Sequence, residues 1–152
     1  MSDVKPIPDG YPVLSTSLCV DGAAAAIEFY TTVLGATERM RMATPDGKVA
    51  HAELAFGDSL VMLADPFPEL GFLDPKTIGG TPVTLSLYVP DVDATYTAAL
   101  AAGAGEVRPP TNEFYGDRVA QFEDVWGHRW SIATHVEDVP EDEMQRRMEQ
   151  LG

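Results

Sequence analysis

The feature that most constrains the fold of this chain is an internal repeat. In the first half, a strand-like segment at 16–21 precedes an alanine-rich helical stretch that ends at Gly35, and a similar pair of segments ends at Gly103. These glycines are 68 positions apart, and Gly57 and Gly127, which each open a final apolar run, are 70 apart. Self-similarity at a fixed spacing indicates a duplicated supersecondary unit.

Each half is predicted to contain a strand, a helix and three further strands. Apolar alternation and turn residues place the first set at 13–20, 23–34, 37–43, 49–56 and 59–65. The second set is predicted at 83–89, 91–102, 105–109, 118–123 and 129–134. Asp21 is placed to cap the first helix, and Asp91 or Asp93 to cap the second.

We therefore expect an α+β fold in which two tandem βαβββ modules form a cupped mixed sheet with helices on its outer face. The 152 residues are predicted to form one domain overall. Its parts are an N-terminal arm at 1–12, modules at 13–65 and 83–135, a Pro- and Gly-rich linker at 66–82, and a C-terminal tail with a short helix at 136–152.

Charge and composition exclude several classes of partner. The formal net charge of −14 would repel nucleic acid and anionic membrane surfaces, so neither is expected as a partner. The single cysteine, Cys19, allows no internal disulfide. The polar, Pro-rich start does not resemble a signal peptide, and apolar runs fall short of the roughly 20 residues of a membrane span. We expect a cytoplasmic protein.

Alternation with a period of two assigns side chains to the two faces of each sheet. The face under the first helix is predicted to carry Leu14, Leu18, Leu54, Phe56, Leu60 and Met62. The concave face is predicted to carry Ser15, Ser17, Cys19, His51, Glu53, Val61, Leu63 and Asp65 in the first half, and Thr84, Ser86, Tyr88, Ser131, Ala133 and His135 in the second.

Several motifs resemble those of one known family. They are AIEFY at 26–30 before LG at 34–35, HAEL at 51–54, GDS at 57–59, GGTP at 79–82, YGDR at 115–118, DVWGHRW at 124–130 and ATH at 133–135. With the βαβββ repeat, they resemble the vicinal oxygen chelate superfamily, which includes glyoxalase I, extradiol dioxygenases, fosfomycin-resistance enzymes and bleomycin-binding proteins. The resemblance covers roughly residues 12–140 and is closest to a glyoxalase-like, demethylubiquinone methyltransferase-like bacterial branch. It predicts the fold and leaves the reaction open.

The resemblance also implies where a metal ion would be held and how the chain assembles. Metal enzymes of this superfamily place four ligands on the concave face, from the first and last strands of each module. Here those positions carry Ser15, Val61 or Leu63, Thr84, and Ser131 or Ala133. Since none is His, Glu or Gln, we expect no metal, no cofactor, and neither glyoxalase I nor dioxygenase activity. A homodimer is implied.

Other residues offer alternative chemistry. His51 and Glu53 share a face of their strand. If the alternation assigns Asp65 and His135 to the concave face correctly, these two residues would complete a set of four possible metal ligands. We favour instead an internal His51–Glu53 hydrogen bond in a polar cleft. Such a pair can recognise a ligand or act in acid–base chemistry. Arg118 could hold a ligand carboxylate or phosphate, or pair with an aspartate. Phe67 and Phe72 could form a lid or a dimer contact.

Two functions follow. The favoured hypothesis is a metal-free protein that binds a small organic molecule, with a cationic or polar aromatic ligand favoured by the acidic surface. The alternative is a lyase or isomerase that uses Glu53 and His51 for acid–base chemistry, with or without a divalent metal, and Arg118 as an anion clamp. The candidate ligand-binding residues are Ser15, Ser17, His51, Glu53, Leu63, Thr84, Tyr88, Tyr115, Arg118 and Ser131.

Overall fold

Each half of the repeat folds into a four-stranded mixed sheet with a helix packed on one face. The computed structural model of the protein describes residues 3–152. The chain divides into two units, of which one ends at Ile78 and the other begins at Gly79. This boundary lies within the segment predicted as a linker.

The first unit contains the strand and helix order expected of a βαβββ module. Its elements are β1 (Thr16–Cys19), α1 (Ala23–Thr32), β2 (Thr37–Ala43), β3 (Val49–Phe56), β4 (Ser59–Ala64), a 3₁₀ turn at Pro68–Leu70 and α2 (Pro75–Ile78). The sheet order is β1-β4-β3-β2, with β1 parallel to β4 and the other pairs antiparallel. The first strand begins at Thr16, later than the predicted residue 13.

The second unit has the same topology. Its elements are β5 (Thr84–Tyr88), α3 (Val92–Ala101), β6 (Gly105–Asn112), β7 (Asp117–Glu123), β8 (Arg129–His135) and α4 (Glu141–Leu151). The sheet order is β5-β8-β7-β6, again with one parallel pair, β5 and β8. The α+β fold with two βαβββ modules is therefore confirmed. The first two residues of the predicted arm, Met1 and Ser2, lie outside the described residues.

Small and aliphatic side chains of the sheet form the first core under α1. The helix buries Ala23, Ala26, Ile27, Phe29 and Tyr30. The sheet contributes Leu18, Ala52, Leu54, Val61 and Leu63, which are all buried and share a face through the strand register. This packing leaves the opposite face of the first sheet, which we call the open face, for other contacts.

Asp65 connects the first sheet to its helix. Its Oδ1 atom accepts hydrogen bonds from the backbone N–H groups of Gly22 and Ala23, at 2.9 and 3.0 Å. Its Oδ2 atom accepts one from the N–H of Val49 at 2.8 Å. The helix cap predicted at Asp21 is wrong, because this carboxylate from the end of β4 already satisfies the first N–H groups of α1.

In the second unit, a different residue connects the last strand to the start of the helix. Thr134, which is 69 positions after Asp65 in sequence, accepts a hydrogen bond from the N–H of Val92 and donates one to the carbonyl of Val89, both at 2.8 Å. Asp91 adds an N-cap through the N–H of Ala94, as predicted. Both modules therefore tie the start of the helix to the last strand.

The C-terminal helix α4 is attached to the rest of the second unit through Arg147. Its guanidinium donates to the carbonyl of Phe114 and to the carboxylate of Glu137. The connection from β8 passes close to Gly116, whose carbonyl accepts from the N–H groups of Val136 and Glu137. Any side chain at Gly116 would overlap the carbonyl of Glu137. The helix thus packs on its own unit.

Within residues 3–152, every helix is too short or too polar to cross a lipid bilayer.

We predict that Asp65→Ala destabilises the protein by about 2–4 kcal/mol, because three buried or half-buried N–H groups lose their acceptor. Urea unfolding followed by circular dichroism measures the change. Asp21→Ala removes the same charge beside the same helix but no hydrogen bond of the described structure, and should cost less than about 0.5 kcal/mol. Equal losses in the two variants would contradict the assignment of the cap to Asp65.

Candidate functional site

A cavity of about 340 Å³ lies on the open face of the first sheet. Its floor comes from three adjacent strands, β1, β4 and β3, and includes Ser17, His51, Met62 and Ala64. Register brings these side chains to one face, since Ser17 pairs with Met62. The floor therefore combines a hydroxyl and an imidazole with apolar surface, as many small-molecule sites do.

The segment that follows β4 forms the roof of this cavity. Phe67, Leu70 and Phe72 line it. The backbone N–H and carbonyl groups of Phe67 and Phe72 bond to each other at 2.9 and 3.2 Å, which closes the segment into a loop around the 3₁₀ turn. We call residues 66–74 the roof loop. The sequence allowed Phe67 and Phe72 to form a lid or a dimer contact, and the structure places them over the sheet.

Glu53 lies beside the cavity and is buried, with 5% of its surface exposed. Its Oε2 atom is 2.9 Å from Nε2 of His51, and its Oε1 atom accepts the hydroxyl proton of Tyr11 at 2.8 Å. Because an ionised carboxylate can only accept, Nε2 of His51 carries the proton of their hydrogen bond. The predicted internal pair is present, and it orients the His51 ring at the cavity wall.

These contacts change the acidity of the groups involved. The hydrogen bond from His51, with that from Tyr11, holds the pKa of Glu53 below its usual value although burial opposes this shift. The same bond to Glu53 raises the pKa of the Tyr11 phenol. Glu53 is therefore charged at neutral pH, and its charge is balanced by donors rather than by water.

Tyr11 belongs to the N-terminal arm and was not identified from the sequence. Its ring lies under the guanidinium of Arg39, 4.8 Å from the ring centroid to Cζ, and Arg39 also donates to the carbonyl of Gly10 at 3.0 Å. The arm is thereby attached to β2 and covers Glu53. An aromatic residue near the end of the predicted arm was the one signal in the sequence for this contact.

The predicted assignment of β4 side chains to the two faces of the sheet is wrong, and Leu63 therefore does not lie on the cavity floor. The two-residue turn at Gly57–Asp58 pairs Leu54 with Val61, so even positions of β3 share a face with odd positions of β4. Leu63 borders the cavity but pairs with Leu18 and is 2% exposed. Met62 and Ala64 occupy the floor instead. Ser15 lies before β1, half-buried, and is not among the residues that line the cavity.

The second sheet carries its own polar cluster on the face opposite α3. Thr84, Tyr88 and Ser131 lie on that face, as the register of β5 and β8 shows. The hydroxyl of Tyr88 donates to Oδ2 of Asp117 at 2.6 Å, and Nδ1 of His135 lies 2.8 Å from Oδ1. Burial raises the pKa of Asp117, but these two hydrogen bonds outweigh it and lower the pKa.

His135 is held between two carboxylates. Besides Asp117 it contacts Asp138, whose Oδ1 is 2.7 Å from its Nε2. These two hydrogen bonds raise the pKa of His135, the bond to Asp117 contributing most. Because the second unit begins at Gly79, Thr84, Tyr88 and Ser131 belong to a different unit from Ser17 and His51.

Arg118 and Tyr115 occupy neither polar cluster. Arg118 forms two hydrogen bonds to Asp93 at the start of α3, at 2.8 and 3.0 Å, and the predicted anion clamp is thus occupied by a carboxylate of the chain. The alternative, an Asp–Arg pair, is the one observed. Tyr115 lies in the turn between β6 and β7 and lines a separate cleft against α4.

The residues present do not fit a divalent metal site of the kind that the resemblance implies. The four implied positions offer hydroxyls and hydrocarbons. In the alternative set, Glu53 is engaged by His51 and Tyr11, and Asp65 by three N–H groups. Within residues 3–152, the side chains of His, Cys, Asp and Glu form no group of three or more arranged to hold a metal ion.

Comparison with known proteins assigns the family. Residues 13–132 match the Glyoxalase/Bleomycin resistance protein/Dioxygenase superfamily, and the chain belongs to this superfamily. The resemblance found in the motifs is thereby confirmed. An uncharacterized protein of Mycobacterium bovis is 42% identical over 144 residues, which cover 93% of this chain and 95% of the relative.

Solved structures support the fold. The structure of TioX from Micromonospora sp. ML1 is 25% identical, with a TM-score of 0.61, and the match covers 81% of this chain and 98% of TioX. The PhnB protein of Bacillus cereus is 16% identical, with a TM-score of 0.63 over 81% of this chain and 99% of that protein. The second likeness is one of fold alone.

We predict that Glu53→Gln lowers the free energy of unfolding by about 1–3 kcal/mol at pH 7, because His51 and Tyr11 lose a charged acceptor. Since the pKa of Glu53 is lower in the folded chain, its contribution is present above the unfolded value of about 4.3 and is lost as the pH falls through the folded value. Urea unfolding at a series of pH values should show that the unfolding free energies of Glu53→Gln and of the parent become equal at acidic pH.

The exposed Glu28 provides the control for this experiment. Glu28→Gln removes one carboxylate from the solvent-facing side of α1, so its unfolding free energy should stay within about 0.5 kcal/mol of the parent at each pH. A gap between Glu53→Gln and the parent that is independent of pH would show that the charge of Glu53 does not contribute.

Proposed function

We propose that this protein binds a small organic molecule, without a metal ion, in the cavity between the open face of the first sheet and the roof loop. The observation that carries the proposal is the convergence of Ser17 and His51 with Phe67 and Phe72 on one cavity of about 340 Å³. Ser17 and His51 come from two strands that are distant in sequence, and Phe67 and Phe72 from the roof loop, so the fold brings these four residues together.

The chemistry of the lining indicates the type of ligand. The aromatic and aliphatic side chains of the roof loop, with the thioether of Met62, favour a ligand with a flat apolar ring. Ser17 and His51 supply the polar contacts that fix orientation, and Glu53 holds the imidazole in place from behind. A ring that bears one hydroxyl or carbonyl group matches this lining.

A lyase or isomerase is the second candidate, and the His51–Glu53 contact is what favours it. A histidine oriented by a buried carboxylate at a cavity wall can move a proton to or from a bound substrate. Arg118 cannot serve as its anion clamp in the observed conformation, because Asp93 occupies the guanidinium. Binding therefore remains the better-supported proposal, and catalysis would add only a proton-transfer role for His51.

We predict that phenol-like fragments bind in this cavity with millimolar to micromolar affinity. A titration with 4-hydroxyacetophenone, followed by backbone amide chemical shifts, should shift Ser17, His51 and Phe72. Ser17→Ala combined with His51→Phe should weaken binding about tenfold or more, since two polar contacts are lost. Catalysis would appear as conversion of added substrates that the His51→Phe variant no longer converts.

Ser86→Ala is the matched control, because Ser86 holds the corresponding position on the first strand of the second module. The Ser86→Ala variant should bind 4-hydroxyacetophenone with the same affinity as the parent protein. Shifts confined to the second unit, or equal affinity in the double variant and the parent, would contradict the proposed site.

We also propose the homodimer that the family resemblance implies. Val13 and Leu14, next to the first strand, are 87% and 86% exposed, an apolar surface that a second copy would cover. Light scattering after gel filtration should give twice the chain mass of 16.4 kDa. Val13→Asp combined with Leu14→Asp should yield monomer, whereas Val4→Asp, in the arm, should not.

A further inference from the structure

We propose that the cleft between α4 and the turn between β6 and β7 binds an organic cation with an aromatic or aliphatic body. The cleft lies within the second unit and has a volume of about 550 Å³. It is separate from the cavity of the first unit, so cation binding here can be tested independently of ligand binding in that cavity. Its principal lining residues are Phe114, Tyr115, Met144, Met148, Glu141 and Asp142.

The walls of the cleft are aromatic and thioether surfaces. The rings of Phe114 and Tyr115 meet edge to face, with centroids 5.3 Å apart. Met144 and Met148 lie one helical turn apart on α4, so they face the cleft together. Polarisable sulfur atoms and ring faces attract a positive charge, and they also pack against the body of the ligand.

The electrostatic balance of the cleft favours a cation. In the ion pairs of residues 3–152, Arg146 is matched by Glu143, and Arg147 by Glu137 and Glu143, while Glu141 and Asp142 take part in no ion pair. The start of α4 contributes roughly half a positive charge, which the two carboxylates outweigh. No basic side chain lines the cleft among the described residues.

The cleft is held in shape by contacts behind its walls. Arg147 donates to the carbonyl of Phe114 at 2.9 Å and so fixes the turn against the helix. The connection to α4 is bound to the carbonyl of Gly116 by two N–H groups. Burial, with the charges of Glu113 and Asp117, raises the pKa of Tyr115, so its phenol stays neutral. The aromatic wall is thus present before any ligand arrives.

An anion or a neutral molecule would fit this lining less well. An anion would face the carboxylates of Glu141 and Asp142, and a neutral amide could stack on the rings but would gain neither the charge attraction nor the cation–π interaction. The ligand class that uses all parts of the cleft is a quaternary or tertiary ammonium compound with an attached ring.

Benzyltrimethylammonium, N-benzylacetamide and phenylacetate form the matched set of probes for the intact protein. We expect the cation to bind about tenfold more tightly than the other two at low salt, and its affinity to fall as salt is added. Amide chemical shifts should locate it at residues 114–115 and 141–148. Equal affinity for the three probes, or shifts located elsewhere, would overturn the proposal.

Variants test the two parts of the cleft separately. Tyr115→Leu and Glu141→Gln should each weaken cation binding about fivefold, whereas Tyr115→Phe, which keeps the ring, should stay within about twofold. Glu28→Gln removes the same charge from an exposed position of α1, in the first unit, and should have no effect. If Tyr115→Leu and Tyr115→Phe lose affinity equally, or if Glu28→Gln matches Glu141→Gln, the site is not the one proposed.

Discussion

The carboxylate of Asp65 is the interaction on which the first unit depends. Asp65 directly follows β4 and accepts hydrogen bonds from the N–H groups at the start of α1 and from the first residue of β3. The start of α1, the start of β3 and the end of β4 are therefore fixed relative to one another by a single buried side chain. The roof loop begins at the next residue, so this junction determines where the loop lies over the cavity. The cost of burying the charge is offset by three N–H donors.

Glu53 uses a buried carboxylate for a different purpose. It accepts from a phenol of the arm and from the imidazole of its own strand, and so joins the arm to the cavity wall. The second unit contains a comparable arrangement, in which Asp117 accepts from Tyr88 and lies within hydrogen-bond distance of His135. The two carboxylates are buried alike, with Glu53 5% and Asp117 7% exposed, but their phenol partners differ, because Tyr11 is half-buried and Tyr88 is 67% exposed. The first cluster adjoins the cavity beneath the roof loop.

Much of the fold could be predicted from the sequence, because a repeated order of strand, helix and glycine repeats the same backbone geometry. Gly35 and Gly103 both adopt the left-handed conformation that ends their helices. The His51–Glu53 pair was predictable from its spacing on one strand. The phase of β4 was not obtained from alternation, because Leu60 to Leu63 are all apolar and the two-residue turn, not the pattern, sets the register. Tyr11, Asp65 and Arg118 act through partners 25 to 43 positions away, a range that local patterns do not reach.

The two candidate sites arise at the same point of the repeated topology. In each module the chain must leave the last strand, and the path it takes is not fixed by the βαβββ unit. After β4 it folds back as the roof loop over the open face, and after β8 it passes Gly116 and continues into α4. The residues that end these strands differ as well: a carboxylate caps the helix in the first unit, and a hydroxyl in the second. A duplicated scaffold can thus keep its core and acquire distinct ligand preferences, because the exit segments supply the side chains that the sheets lack.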